Sequence, residues 1–302
     1  MELGVPSPAA VVDAPGGPDV LIGIDVGGTW IKGAAIDLGN GRPAGGVRRL
    51  PTPPGGRVDD VAETLEQLIR ELEGDSPEQR GRAVGVAVPS IIQRGVARSA
   101  ANMDGGWIGL DVQSHLQSRL GRPVCLVNDA DAAGIAEARY GAGRGKHGVV
   151  LVLTLGTGIG SALIVDGRLV PNIELGHLEI EGRKAESGTS AVARETEGLS
   201  WQAYAGRLQR YLAHVEFLFS PDLIIIGGGI SACSDEYLPR LALRTPIIPA
   251  RLENAAGAVG AALHAGGMIT AAGSESDVEY FGTDTAGCAR GGRKGLLHAG
   301  NG

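Results

Sequence analysis

The chain has 302 residues, enough for one large domain or two modest ones, each able to bury its own core. Its three cysteines, Cys125, Cys233 and Cys288, are widely separated and odd in number, which gives neither a disulfide framework nor a metal-ligand spacing. A formal charge of −7 argues against general nucleic-acid binding. No apolar run reaches the ~18 residues a bilayer span needs, and the start lacks a basic region followed by an apolar one, so a cytoplasmic location is expected.

Residues 1–19 are rich in Pro, Gly and Ala without a period and read as an irregular arm. Val20 to Val26 and Ile31 to Asp37 read as two strands joined by the turn Gly27-Gly28-Thr29. Val58 to Glu73 carries Val61, Leu65, Leu68, Ile69 and Leu72 at helical spacing, and Gly74 is the expected stop. Ala83 to Val88 is a buried strand ended by Pro89, Leu110 to Leu120 a helix, and Val124 to Val127 a strand. An alanine-rich helix from Ala130 to Tyr140 starts straight after Asn128-Asp129, so a carboxylate stands at a strand-to-helix junction.

The second half repeats the opening pattern. Gly148 to Leu155 is a strand, Gly156-Thr157-Gly158-Ile159-Gly160 a turn, and Ser161 to Val165 the return strand. Trp201 to Phe219 reads as a long helix and Leu223 to Ile226 as a buried strand before Gly227-Gly228-Gly229, with a final helix at about 256–266. Residues 271–302 have no apolar pattern and read as an irregular tail. Alternating strands and helices predict an α/β architecture, and the two hairpins suggest duplicated halves. Glycine, at 50 residues, is expected to work mainly in loops.

Glycine turns after strands offer backbone N–H groups that no side chain obstructs, which suits an anionic phosphate; an ordinary tight hairpin is the competing reading of any one of them. No turn ends in Gly-Lys-Ser/Thr, which excludes a P-loop, and Gly156, Gly158 and Gly160 run GxGxG rather than GxGxxG, which excludes a dinucleotide fingerprint. Asn128-Asp129 reads as substrate ligand and base for phosphoryl transfer, as a helix cap, or as both. Glu174, His177 and Glu179 form a compact polar cluster suited to sugar hydroxyls, although a metal site or a solvated loop has the same composition. Asn102, near Trp107, is a further polar group on a loop.

Asp25-Val26-Gly27-Gly28-Thr29, Ala100-Ala101-Asn102 with the following Gly-Trp-Ile-Gly, Val-Asn-Asp-Ala-Asp at 127–131, Leu-Gly-Thr-Gly-Ile-Gly-Ser at 155–161, Glu-Leu-Gly-His-Leu-Glu at 174–179 and Pro-Asp-Leu-Ile-Ile-Ile-Gly-Gly-Gly-Ile-Ser at 221–231 occur in this order. Together they resemble the ROK sugar-kinase family over residues 20–266, and most of all its polyphosphate glucokinase branch. The resemblance implies an actin-like ATPase (ribonuclease H-like) fold of two α/β domains, 20–127 and 128–270, with the active site in the cleft and the final helix able to pack back on the first domain. It implies Asp129 as general base and Asn102, Asn128, Glu174 and His177 as sugar ligands, with Glu179 a further candidate. Asp25, Gly27, Gly28, Thr29 and Lys32, with Thr154, Gly156, Thr157 and Gly158, match the phosphate loops, and Gly227, Gly228 and Gly229 the segment near the nucleotide. Glucose would be the acceptor, inorganic polyphosphate and ATP the donors, Mg2+ the companion of the donor phosphates, and a homodimer the assembly.

Three departures from the family pattern stand out. Residues 178–200 hold none of the cysteines that bind structural zinc in many ROK proteins, so no zinc is expected. Trp30 follows the first phosphate loop where a small residue is usual and could narrow the donor groove, and Ser90 stands where glycine is common. Nineteen irregular leading residues cannot hold the helix-turn-helix of the family's transcriptional repressors. Lys32, Arg94, Arg98, Arg144, Lys146, Arg168, Arg183 and Lys184 flank the proposed cleft, and some are expected to line a groove for a polyanionic donor.

Overall fold

Two mixed sheets of matching topology carry the chain. The computed structural model describes residues 20–273. Its first half runs β1 (Val20–Val26), β2 (Trp30–Asp37), β3 (Arg42–Pro43), β4 (Arg48–Pro51), α1 (Val58–Asp75), β5 (Val84–Val88), β6 (Ile92–Gln93), β7 (Val96–Ala97), α2 (Val112–Leu120), β8 (Val124–Asn128) and α3 (Asp129–Arg139). The second half runs β9 (Val149–Leu155), β10 (Ile159–Val165), β11 (Arg168–Val170), β12 (Glu179–Ile180), β13 (Arg183–Lys184), α4 (Glu186–Thr189), α5 (Ala191–Thr196), α6 (Trp201–Phe219), β14 (Leu223–Gly227), α7 (Ser234–Tyr237), β15 (Ile247–Pro249) and α8 (Ala256–Gly273).

The first sheet has the order β3-β2-β1-β5-β8, with β4 also on β2; the second has β11-β10-β9-β14-β15. In each, an antiparallel hairpin is followed by two parallel strands. The parallel strands β5 and β14 are buried along their whole length, as strands covered on both faces must be, which is why they read as unbroken apolar runs. Helix α1 lays Val61, Leu65, Leu68, Ile69 and Leu72 on the first sheet, and α6 lays Tyr204, Leu208, Tyr211, Leu212 and Val215 on the second.

Parallel strands deliver their C-terminal ends to one edge, so the turn after β1, the junction of β8 with α3, the turn after β9 and the loop after β14 lie around one opening. That is how residues up to two hundred positions apart come together.

Several boundaries differ from the sequence reading. Helix α1 continues through Gly74 to Asp75, and the Ser76 N–H closes its last turn on the Leu72 carbonyl. Helix α2 starts at Val112 because Asp111 caps it, accepting from the Ser114 N–H. Helix α3 begins at Asp129 itself, with Asn128 as cap and Tyr140 past the end. The final helix runs on to Gly273, so the tail expected from 271 starts no earlier than 274. The arm at 1–19, the remainder of the tail and Cys288 lie outside the described residues.

The expectation that glycine works mainly in loops needs correction as well. Gly23 in β1, Gly85 in β5 and Gly260 in α8 form a seam where backbone meets backbone. A Cβ on Gly23 would stand 1.9 Å from the Ala258 carbonyl oxygen, one on Gly85 1.8 Å from that of Ala261, and one on Gly260 1.8 Å from that of Ala132. Helix α8 thus packs on β1, β5 and α3 at a distance only hydrogen side chains allow. At its first turn Gly257 lets it abut the Asp25 carboxyl, 2.6 Å from where its Cβ would be.

Candidate active site

A cleft of about 450 Å³ opens where the strand ends converge. Its lining includes Gly27 and Gly28, Asn102, Asn128 and Asp129, Thr154, Gly156, Thr157 and Gly158, Glu174 and His177, and Gly228. A neighbouring cavity of about 160 Å³ shares Asp129, Thr154 and Gly228 with it and adds Asp25, Gly227, Glu253, Asn254 and the start of α8.

The first glycine turn is fastened from both sides. The Gly27 N–H donates to the Trp30 carbonyl at 3.0 Å, and Thr52 at the end of β4 donates its hydroxyl to the Gly27 carbonyl at 2.6 Å. This leaves the N–H groups of Gly28 and Thr29 with no partner among the described residues. In the second turn the Gly156 N–H bonds the Gly158 carbonyl and the Thr157 N–H is likewise free. Fixed, unpaired amides are what an anion needs.

Asn128 is the helix cap that its position suggested, and its side-chain amide also borders the cleft. Its side-chain oxygen accepts from the N–H groups of Ala130 and Asp131 at 2.9 and 3.0 Å, which caps α3. Its amide donates one hydrogen to the Ser90 carbonyl at 3.2 Å, and the second remains for a ligand in the cleft. Ser90, in place of the usual glycine, keeps a negative φ and is itself buried, with its hydroxyl bonded to the Ser99 carbonyl.

Asp129 lies on the cleft floor at the positive end of α3. Burial, then repulsion from Asp25, and more weakly from Glu174, push its carboxyl up to about 7, against an opposing hydrogen bond from the Ala130 N–H. Burial likewise raises Asp25, while Lys32, its cross-strand partner in β2, pulls it back. Burial raises Glu174, which His177 lowers and Glu186 raises further. Among the described residues no group of three or more His, Cys, Asp or Glu side chains is arranged to hold a metal ion.

Glu186 is the functional candidate that the sequence reading missed. It lines the cleft from α4, its Oε1 lies 3.6 Å from His177 Nε2, and a Cβ on Gly158 would meet its other oxygen at 2.6 Å. It sits twelve residues after Glu174, beyond the β12–β13 ribbon, so no local pattern ties it to the cluster. Glu179 needs the opposite correction. It is exposed in β12 opposite Lys184 and is not among the lining residues, because strand alternation buries part of Leu178 and turns Glu179 outward.

Thr29 and Gly229 stand at the rim, exposed and outside the lining. Lys32 faces Asp25 across the β1–β2 pair and lines neither cavity. Trp30 does not narrow the cleft: it lies outside the lining, 38% exposed, with the Arg49 guanidinium 4.8 Å above its ring. The expected basic groove is absent from this lining, since no Lys or Arg of the described residues borders either cavity. Arg144 instead borders a surface pocket with Arg42 and Tyr140, beyond the far end of α3.

Comparison with known proteins matches residues 21–194 to the ROK family. The chain belongs to the ROK family. It is 43% identical over 242 residues to a polyphosphate glucokinase of Mycobacterium tuberculosis, covering 80% of this chain and 89% of that protein. The polyphosphate glucokinase of Mycobacterium leprae is 41% identical over 249 residues, covering 82% and 75%. Among solved structures, the inorganic polyphosphate/ATP-glucomannokinase from Arthrobacter sp. strain KM superposes with a TM-score of 0.80 at 58% identity, covering 83% of this chain and all of that one. A ROK hexokinase from Thermus thermophilus gives 0.66 at 27% identity, covering 83% and 99%. The two sheets and the cleft are thus those of the actin-like kinase fold, as the ROK motifs implied.

Proposed function

We propose that this ROK protein is a polyphosphate- and ATP-dependent glucokinase that phosphorylates the 6-hydroxyl of glucose, with Asp129 as general base. The observation that carries the reading is the lining of the cleft: a half-buried carboxylate, Asp129, shares it with two stapled glycine turns and with Glu174, His177 and Glu186. Relatives at 41–58% identity carry the names polyphosphate glucokinase and polyphosphate/ATP-glucomannokinase. The second of these supports mannose as an additional acceptor.

In this reading the sugar lies against Asn102, Asn128, Glu174 and His177, with Glu186 joining them. The 6-oxygen attacks the terminal phosphorus, the bond from that phosphorus to the bridging oxygen of the donor breaks, and the hydroxyl proton passes to Asp129. The carboxylate must be ionised to accept it, and an acidity near neutrality suits a group that takes a proton and returns it. The amides of Gly28, Thr29 and Thr157 hold donor oxygens, and Gly227 and Gly228 border the leaving portion. Asp25 would hold Mg2+, which supplies charge neutralisation to the phosphates.

The same reading divides the chain into domains at 20–127 and 128–270 and makes it a cytoplasmic homodimer. No helix among the described residues is long and apolar enough to cross a membrane. Light scattering on the purified chain tests the dimer. A coupled assay for glucose 6-phosphate, run with ATP and with polyphosphate, tests the activity, and turnover with neither donor would overturn the reading.

A further inference from the structure

Asp131 is 1% exposed, a buried carboxyl two residues past the proposed base. Its Oδ2 accepts from the Asn172 N–H at 2.8 Å, and its Oδ1 has no hydrogen-bond partner among the described residues. A buried carboxyl with one oxygen unsatisfied is expensive, so the bond that the other oxygen makes should matter to something.

Asn172 shows what. It adopts φ +62°, left-handed backbone that asparagine tolerates better than most residues, two positions before Glu174. Its side chain closes a ring with one residue of the first half: the Ile92 N–H donates to Oδ1 at 2.9 Å, and Nδ2 donates to the Ile92 carbonyl at 2.9 Å. This is the pairing one strand residue would offer another, supplied by an amide across 80 residues of sequence. Ser161 bridges both sides of Glu174, donating its hydroxyl to the Ile173 carbonyl at 2.5 Å and accepting from the Leu175 N–H at 2.9 Å. Glu174 is therefore bracketed by Ser161 of β10, which bonds both its immediate neighbours, and preceded by Asn172, which is tied to α3 and to β6.

We propose that Asp131, Asn172 and the Ile92 backbone form a clasp that joins the β6–β7 ribbon to the loop bearing Glu174, and that Asp131 and Asn172 are positioning residues for the sugar subsite. The inference rests on the reading of Glu174 as a sugar ligand. The clasp touches no donor loop, so its loss acts on the acceptor side. It also fixes the distance between the two halves of the chain at the sugar end of the cleft, because Ile92 is part of the same loop system as Ser90, which receives the Asn128 amide.

Asn172→Gly retains the left-handed backbone and removes the amide. It should raise the KM for glucose by roughly tenfold or more while kcat falls less than about threefold and the donor KM is unchanged, as expected when a binding group loses its preorganisation. Asp131→Ala should do the same, and Asp131→Asn, which keeps an acceptor for the Asn172 N–H, should restore the glucose KM to within about threefold of wild type. Hydrogen exchange gives a readout free of catalysis: in folded Asn172→Gly, amide protection should fall at Ile92 and at residues 173–175. Unchanged glucose KM and unchanged protection in Asn172→Gly would overturn the clasp. Glu174→Gln separates the underlying reading: if it leaves the glucose KM unaltered while Asn172→Gly still loses protection, the clasp stands and Glu174 is not the ligand that it positions.

Discussion

Asp25 and Asp129 line the same small cavity beside the cleft, and Asp25 is second only to burial in raising the Asp129 carboxyl to about 7. A base is active when ionised, so kcat/KM should climb with pH through the region near 7 and level off above it. Asp25→Asn removes the repulsion and should move this acid limb to lower pH, whatever it does to the absolute rate. A pH–rate series on both proteins decides it, and a limb that stays in place or moves upward would sink the electrostatic account.

Asp129→Asn keeps the shape of the side chain and removes the proton acceptor. Turnover should fall by roughly 10²- to 10⁴-fold, while glucose binding, measured by calorimetry, should change little. Near wild-type turnover would mean another group takes the proton.

Much of this site could be read from the sequence because its parts are local. Each glycine turn directly follows an apolar strand, and Asn128-Asp129 joins a strand to an alanine-rich helix, so neighbouring residues announce both element and chemistry. Glu186 was illegible because only the folded path of the β12–β13 ribbon returns it to His177. Glu179 was misread for the converse reason: proximity in sequence to His177 says nothing about which side of a two-residue strand faces the cleft. The seam of Gly23, Gly85 and Gly260 was hidden too, since a glycine that accommodates a distant carbonyl looks in sequence like one that serves a turn.

That seam gives a stability test with its own control. Gly260→Ala forces a methyl group onto the Ala132 carbonyl, in a place where both partners are backbone and cannot yield cheaply. It should destabilise by roughly 1–3 kcal/mol or more. Gly206, exposed in α6 with nothing within 4 Å of a Cβ, offers the reverse. Gly206→Ala should stabilise by about 0.5–1 kcal/mol, since alanine suits a helix interior. Denaturant melts of the two variants should differ in sign.

The purified protein should hold no stoichiometric zinc, because residues 178–200 carry no thiolates and no group of three or more metal-ligating side chains occurs among the described residues. Elemental analysis after dialysis gives the answer. One zinc per chain would require the cluster of Glu174, His177 and Glu186 to be read as a metal site.

The donor prediction follows from what lines the cleft. Polyphosphate and ATP should both work, and each should inhibit use of the other competitively, because Gly28, Thr157 and Gly228 offer a single set of phosphate contacts. Surface cations would have made polyphosphate affinity fall steeply with salt, as contacts between exposed charges are screened beyond roughly 10 Å at 0.1 M ionic strength. Here no Lys or Arg of the described residues is in the lining, and Asp129, Glu174 and Glu186 make it acidic. Recognition then depends on backbone amides and on the cation that Asp25 would hold, both close to the phosphates and poorly screened. Apparent polyphosphate affinity should therefore change less than about threefold between low and moderate ionic strength, yet collapse when magnesium is chelated, while binding of neutral glucose follows neither variable. Trp30, covered by Arg49 at the rim, should matter little to ATP; Trp30→Gly frees that guanidinium and tests whether longer chains reach it. If the enzyme turns over ATP but no polyphosphate of any length, the protein is an ATP-dependent ROK glucokinase. If polyphosphate works but its affinity drops tenfold or more with salt, a basic path outside the cleft carries the chain.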